Sequence, residues 1–168
     1  MRQFVLNLVS SSSRPLVCLD NNLIALLDTG AELPVWTDTE ESLKSVFKAE
    51  LVRENVSFKG FGGDAIGNLY YITLRVGDII YPNLPIVCSV IEDAPFHMIL
   101  SASMFYGLIY EVDTVNNKLN VTVPDKESHV RNLRVFDSNG KLHILVNRNS
   151  LDAQDYARAY KDFYTKDL

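Results

Sequence analysis

Hydrophobic positions along the chain come in short runs broken by turn-forming residues, a pattern of many brief strands rather than long helices. Residues 3–9 predict a first strand, residues 10–15 a turn around Arg14-Pro15, and residues 16–19 a second strand. Asp20-Asn21-Asn22 supplies turn chemistry, because these side chains bond nearby backbone and tolerate left-handed geometry. Residues 23–27, Leu-Ile-Ala-Leu-Leu, are apolar without interruption and predict a strand buried on both faces. Residues 33–36 read as extended. Further strands are expected over 56–59, 69–76, 79–81 and 84–91, with Gly77-Asp78 as a turn between two of them. Residues 96–100 are apolar again. Residues 101–106 read as a short helix ended by Gly107, and residues 108–112 and 119–123 as a hairpin.

The period changes at two places. Thr37-x-x-Glu40 has the form of a capping box and predicts a helix over 38–48, with Leu43, Val46, Phe47 and Leu51 on its apolar face. Towards the end, residues 132–136 and 141–146 flank Asp137-Ser138-Asn139-Gly140, a hairpin signal. Asn149-Ser150 then predicts the start of a helix to about residue 165, with Tyr156, Tyr160, Phe163 and Tyr164 along one face. The fold class expected is mainly β, closed and barrel-like or sandwich-like, with one or two short helices. The organisation expected is a body over 1–123 and an extension over 124–168 made of the hairpin and the amphipathic helix.

Composition narrows the classes of partner. Among 168 residues, 16 Lys and Arg face 21 Asp and Glu, for a net charge of −5. Residues 124–168 carry 8 basic and 7 acidic side chains, against 8 and 14 in the body, so no basic stripe invites nucleic acid. Cys18 and Cys88 each sit in an apolar run, which reads as two buried thiols in a reducing compartment rather than a disulfide or zinc framework. The opening residues lack a signal-peptide pattern, and no run of about eighteen apolar residues occurs. A cytoplasmic chain without membrane contact is expected.

The sharpest chemical feature is Asp28-Thr29-Gly30, placed directly after the fully apolar run 23–27. That context sets a carboxylate at the end of a buried strand, where burial disfavours its charged form unless a partner intervenes. Glycine permits a tight turn and close backbone approach. Threonine can bond a neighbouring backbone group and lock the loop.

The sequence at this point resembles the retropepsin-like aspartic proteases. Residues 23–31, Leu-Ile-Ala-Leu-Leu-Asp-Thr-Gly-Ala, match that family's opening block, and Gly60-Phe61-Gly62-Gly63 matches its glycine-rich flap. Ile99-Leu100-Ser101-Ala102 stands at the second signature, two apolar residues and a glycine before a short helix. Residues 107–113 and 118–121 resemble its closing hairpin, so the likeness spans roughly residues 3–123. The helix after the Asp block is similar to cellular and bacterial members more than to the compact viral enzymes. Two positions depart from the family. Ser101 replaces the glycine, and Ala102 stands where viral members carry an arginine that braces the active-site loops. In that family the acidic residue after Asp-Thr-Gly-Ala pairs with this arginine. Glu32 occupies the position without it, and Arg14 is a candidate partner.

The resemblance implies an aspartic endopeptidase without metal or cofactor. Such chemistry needs two carboxylates sharing one proton and holding one water. The chain has one Asp-Thr-Gly and no second Asp-Thr/Ser-Gly, and 168 residues are too few for two lobes. The second carboxylate must then come from another copy, giving a C2 homodimer with paired Asp28 side chains. Asp28, Thr29 and Gly30 would form the catalytic loop. Ala31, Glu32, Gly60, Phe61, Gly62 and Gly63 would line an extended polypeptide substrate, with Phe61 at the flap tip. Ala31 has no hydroxyl to donate to a carboxylate, and activity is expected at mildly acidic to neutral pH. The alternative from another class is a catalytically weak or inactive dimerisation or peptide-binding module, which the Ser101 and Ala102 departures favour.

Other motifs carry less. Gly60-x-Gly62-x-x-Ala65 fits a dinucleotide fingerprint, but a β pattern follows where a helix is required. His97, His129 and His143 lack metal-ligand spacing. Residues 10–13 read as a loop, and Trp36 as core.

Overall fold

The computed structural model describes residues 1–60 and 62–146. Phe61 and the helix expected over 149–165 lie outside the described residues. The strands are β1 (Arg2–Asn7), β2 (Leu16–Cys18), β3 (Ile24–Asp28), β4 (Val35–Trp36), β5 (Glu50–Gly60), β6 (Gly63–Val76), β7 (Ile79–Cys88), β8 (Met98–Ser101), β9 (Ile109–Asp113), β10 (Lys118–Val123), β11 (Leu133–Ser138) and β12 (Lys141–Val146). One α-helix, α1 (Glu40–Val46), and short 3-10 turns at Asp20–Asn22 and Ala102–Phe105 complete the described part. The chain is mainly β, as its pattern predicts. Its strands form three sheets, and no closed barrel appears among the described residues.

The largest sheet runs β2-β3-β8-β4-β7-β6-β5, with β3/β8 and β4/β7 parallel and the other neighbours antiparallel. The second is β1-β10-β9, and the third is the hairpin β11-β12. Strand alternation explains how one sheet serves two cores. Ala25, Leu27, Tyr70, Ile86, Met98 and Leu100 face a cluster with Trp36, Tyr81 and Phe105. Their neighbours Leu26, Leu69, Val87 and Ile99 face a second cluster with Leu33, Val56, Phe58 and Phe96. The unbroken apolar run 23–27 thus belongs to a strand covered on both sides. At Gly67 the strands β6 and β7 approach so closely that a Cβ would lie 2.1 Å from the Cys88 carbonyl oxygen.

The helix differs from its sequence-based expectation. Its N-cap is Thr39, whose hydroxyl accepts from the Ser42 amide at 3.1 Å. Thr37 is instead buried in the extended segment: its amide bonds the His97 carbonyl and its hydroxyl donates to Phe96 O at 2.9 Å. Those bonds hold Thr37 in the sheet layer, so the helix begins later. Leu43 is buried, Val46 is exposed, and Leu51 is an exposed residue of β5, outside the helix face.

The hairpin β11-β12 turns through Asn139 and Gly140, both at positive φ (53° and 77°), as two-residue Asn-Gly turns require. It is not a separate lobe. Leu133 joins the first core and Leu142 the second.

Candidate active site

Asp28 is the last residue of β3, an internal strand of the large sheet between β2 and β8, and it stands in register with Ser101 of β8. The strand below it is buried while Asp28 itself is half-buried, so its carboxylate emerges at the rim of the core. The chain turns at once. The Ala31 amide bonds the Asp28 carbonyl at 3.1 Å, and the Gly30 amide donates to Asp28 Oδ1 at 2.9 Å. A Cβ on Gly30 would sit 3.3 Å from that oxygen. A side chain there would crowd the carboxylate by a few tenths of an ångström; the residue does not adopt the left-handed φ of a tight glycine turn. Thr29, Gly30 and Glu32 are exposed, and Ala31 is half-buried.

The second loop zips onto the first. Beyond the Asp28/Ser101 pair, the Ala102 amide bonds the Ala31 carbonyl at 3.0 Å, and Ser103 Oγ donates to the Glu32 carbonyl at 2.8 Å. Since that bond uses the only Ser103 hydroxyl proton, Ser101 Oγ donates to Ser103 Oγ across 2.6 Å. Ser101 is fully buried with φ −87°, so nothing in its backbone requires the glycine of the resembled family. Its side chain instead ties the 3-10 turn to the Asp loop.

Glu32 has partners that the sequence did not suggest. His143 Nδ1 lies 3.1 and 3.0 Å from its two carboxylate oxygens, and the Ile144 amide donates to Oε1 at 3.1 Å. Arg14, the candidate, instead places its guanidinium over the Phe96 ring, 5.5 Å from the centroid. Both Glu32 contacts come from β12, over a hundred residues along the chain, and no local spacing could announce them.

Arg131 is a second residue that the sequence did not single out. It is buried, lies 3.6 Å from Glu127 Oε2, and donates through Nη2 to the Tyr106 carbonyl. It thereby holds the end of the 3-10 turn that follows Ser101. The i, i+4 spacing of Glu127 and Arg131 offered no signal, because it makes neighbours only on a helix and the segment is turn and bend. Beside it Tyr81 donates to the Met104 carbonyl at 2.7 Å. Burial pushes the Tyr81 hydroxyl well above the usual phenol range, and Arg131 pulls the other way.

The glycine-rich segment joins β5 to β6. Gly60 pairs with Gly63, and Gly62 and Gly63 take φ of 88° and 135°, which only glycine adopts without strain. A Cβ on Gly60 would meet the Ala65 Cβ at 2.9 Å. The tip residue Phe61 lies outside the description. No cluster of three or more metal-ligating side chains occurs among the described residues. Nor is any described helix long and apolar enough to cross a membrane.

A cavity of about 500 Å³ lies between Asp64, Ala65 and Ile66 of β6 and the hairpin turn at Asn139 and Gly140. A larger one, about 730 Å³, is lined by Leu19, Asp20, Phe47, Lys48 and Arg75 and contains none of the candidate residues. The larger cavity has polar groups of its own in Asp20, Asn21, Lys48, Thr73 and Arg75; the Asp28 loop is taken as the candidate site on its motif and its bonded second loop, not on cavity volume. No family model matches the sequence, and no curated protein matches it.

Proposed function

We propose that the chain is half of an aspartic endopeptidase of retropepsin-like fold, completed by a second copy. The observation that carries this reading is the single carboxylate of Asp28. It is set at the end of a strand buried on both faces and half exposed to solvent. Its described contact is the Gly30 amide, which leaves one oxygen free of that bond. One such group cannot both take a proton from water and give one to the scissile carbonyl. Two sharing a proton can.

In the proposed dimer, the two Asp28 side chains face each other across the twofold axis and hold a water between them. One carboxylate removes a proton from that water as it attacks the peptide carbonyl, and the other protonates the carbonyl oxygen. Thr29, exposed beside Asp28, clasps the partner's loop. Gly62 and Gly63 let the β5-β6 hairpin close over an extended peptide, which the exposed edges of the site hold by strand-like bonds.

Asp28→Asn keeps size and hydrogen bonding but cannot share a proton. It is expected to remove cleavage of a peptide library while leaving circular dichroism and melting unchanged. Retained cleavage would exclude Asp28 from the chemistry. A peptide that binds wild-type chain but is never cut would favour the alternative, a peptide-binding or dimerisation module. Light scattering at micromolar concentration gives the assembly, and an active strict monomer would contradict the mechanism.

A further inference from the structure

The hairpin β11-β12 is fastened to both walls of the candidate site. At the Asp loop, His143 and the Ile144 amide engage Glu32. At the β5-β6 side, Lys141 Nζ reaches Asp64 Oδ1 at 2.7 Å, and Arg53 of β5 reaches Asp137 of β11 at 2.7 Å. Between these ties Leu142, only 2% exposed, packs into the second core cluster with Val56, Phe58 and Val87, and the partly buried Ile144 packs against the same cluster. β12 also packs against β5 and the 3-10 turn after Ser101. An amide that bonds Glu32 cannot at the same time bond β11, so the outer edge of β12 faces the Asp loop. An extended strand thus already lies along the face between the Asp loop and the flap. It donates a backbone N–H to one wall and sinks alternate apolar side chains into the floor.

We propose that β12 is a built-in occupant of the peptide-binding face, so that the chain is slowed while the hairpin is seated and is activated when it lifts. The inference rests on the peptide-site reading above and adds its regulation and substrate class. The face takes an extended segment with apolar side chains at alternate positions, as Leu142 and Ile144 are, and a basic or imidazole group between them directed at Glu32. The ties at the two walls are mostly partly exposed ion pairs, which are individually weak and screened by salt. Added salt therefore loosens the ties at the walls, while the apolar anchors Leu142 and Ile144 yield only to a competing segment that fills the same positions.

The test uses the full chain carrying Asp28→Asn, so that binding is read without cleavage. The probe is a fluorescein-labelled hexapeptide with the sequence of residues 141–146, titrated by anisotropy. Adding Lys141→Glu and His143→Ala is expected to tighten its Kd at least about tenfold, with faster hydrogen exchange at the Ile144 amide. Glu32→Gln in that released chain is expected to weaken the probe again. Asp64→Lys breaks the same tie from the other side, and Asp64→Lys with Lys141→Asp restores it, so the reading does not depend on one variant folding. Unchanged Kd in folded variants whose Ile144 amide has been freed would overturn the proposal.

Parallel cleavage assays with Asp28 intact separate the two readings. Tighter binding with no cleavage by any variant contradicts the protease and keeps the built-in occupant. Cleavage that the released variants do not accelerate contradicts the occupant and keeps the protease.

Discussion

Arg131 and Glu127 are both buried, 5% and 4% exposed at their side chains, and the guanidinium also bonds the Tyr106 carbonyl. A buried pair contributes little net stability over an apolar replacement, but removing one member exposes the cost of burying the other. Arg131→Met is therefore expected to destabilise the chain by about 3–5 kcal/mol, read by urea unfolding. Arg131→Met with Glu127→Leu should recover most of that loss. Recovery absent from the double variant would mean that the bond to Tyr106, rather than charge burial, is what Arg131 supplies.

Two other buried groups, besides Tyr81, weaken the fold in alkali. Burial, with Glu40 adding to it, pushes the Cys88 thiol from its ordinary 9.0 up to about 12. Burial, with a hydrogen bond to Glu40, pushes the Tyr70 phenol from 10.0 up to about 12. Both folded values are raised, so this contribution to stability is complete below the unfolded pKa and is lost as pH climbs through the folded one. Melting temperature is expected to fall between about pH 9 and pH 12, and Cys88→Ala should reduce the slope at the lower end. In the native chain at neutral pH, a thiol reagent should modify the half-buried Cys18 before the buried Cys88.

At the scale of elements, the sheet is held by backbone approach as much as by side chains. Gly67→Ala would put a Cβ 2.1 Å from the Cys88 carbonyl, and separating β6 from β7 is expected to cost at least about 1–3 kcal/mol, seen as a lower urea midpoint. Thr39→Ala removes the observed cap of α1 and should cost about 1 kcal/mol. An equal or smaller effect at Thr39 than at an exposed helix position such as Glu41 would contradict the assignment.

The helix shows why elements were only partly legible. Thr37-x-x-Glu40 has the right letters, yet the hydroxyl of Thr37 is taken by Phe96, nearly sixty residues away. A local motif lost to a long-range bond. Most strands were legible because their alternation is local chemistry. The length of β5 was not, because its exposed first half, Glu50 to Asn55, has no buried face to declare.

For the whole molecule, the sequence made Asp28 legible because an apolar run and a tripeptide are adjacent in the chain. It could not make the surroundings legible. Glu32 meets His143 and Ile144, Ser101 reaches Glu32 through Ser103, and Arg131 holds the turn beyond Ser101; all are contacts between distant segments. Arg131, His143 and Ile144, all past residue 123, accordingly border the candidate site.

The central claim is that one chain supplies half of a catalytic pair, and mixing tests it most directly. Wild-type chain at fixed concentration is unfolded and refolded with increasing Asp28→Asn chain, and peptide cleavage is followed. If each active site takes one Asp28 from each copy, mixed dimers are dead. An equal amount of Asp28→Asn then cuts activity to about half, and a large excess abolishes it. Activity that stays constant as the variant is added would contradict the account, because it would mean that a single chain carries its whole site.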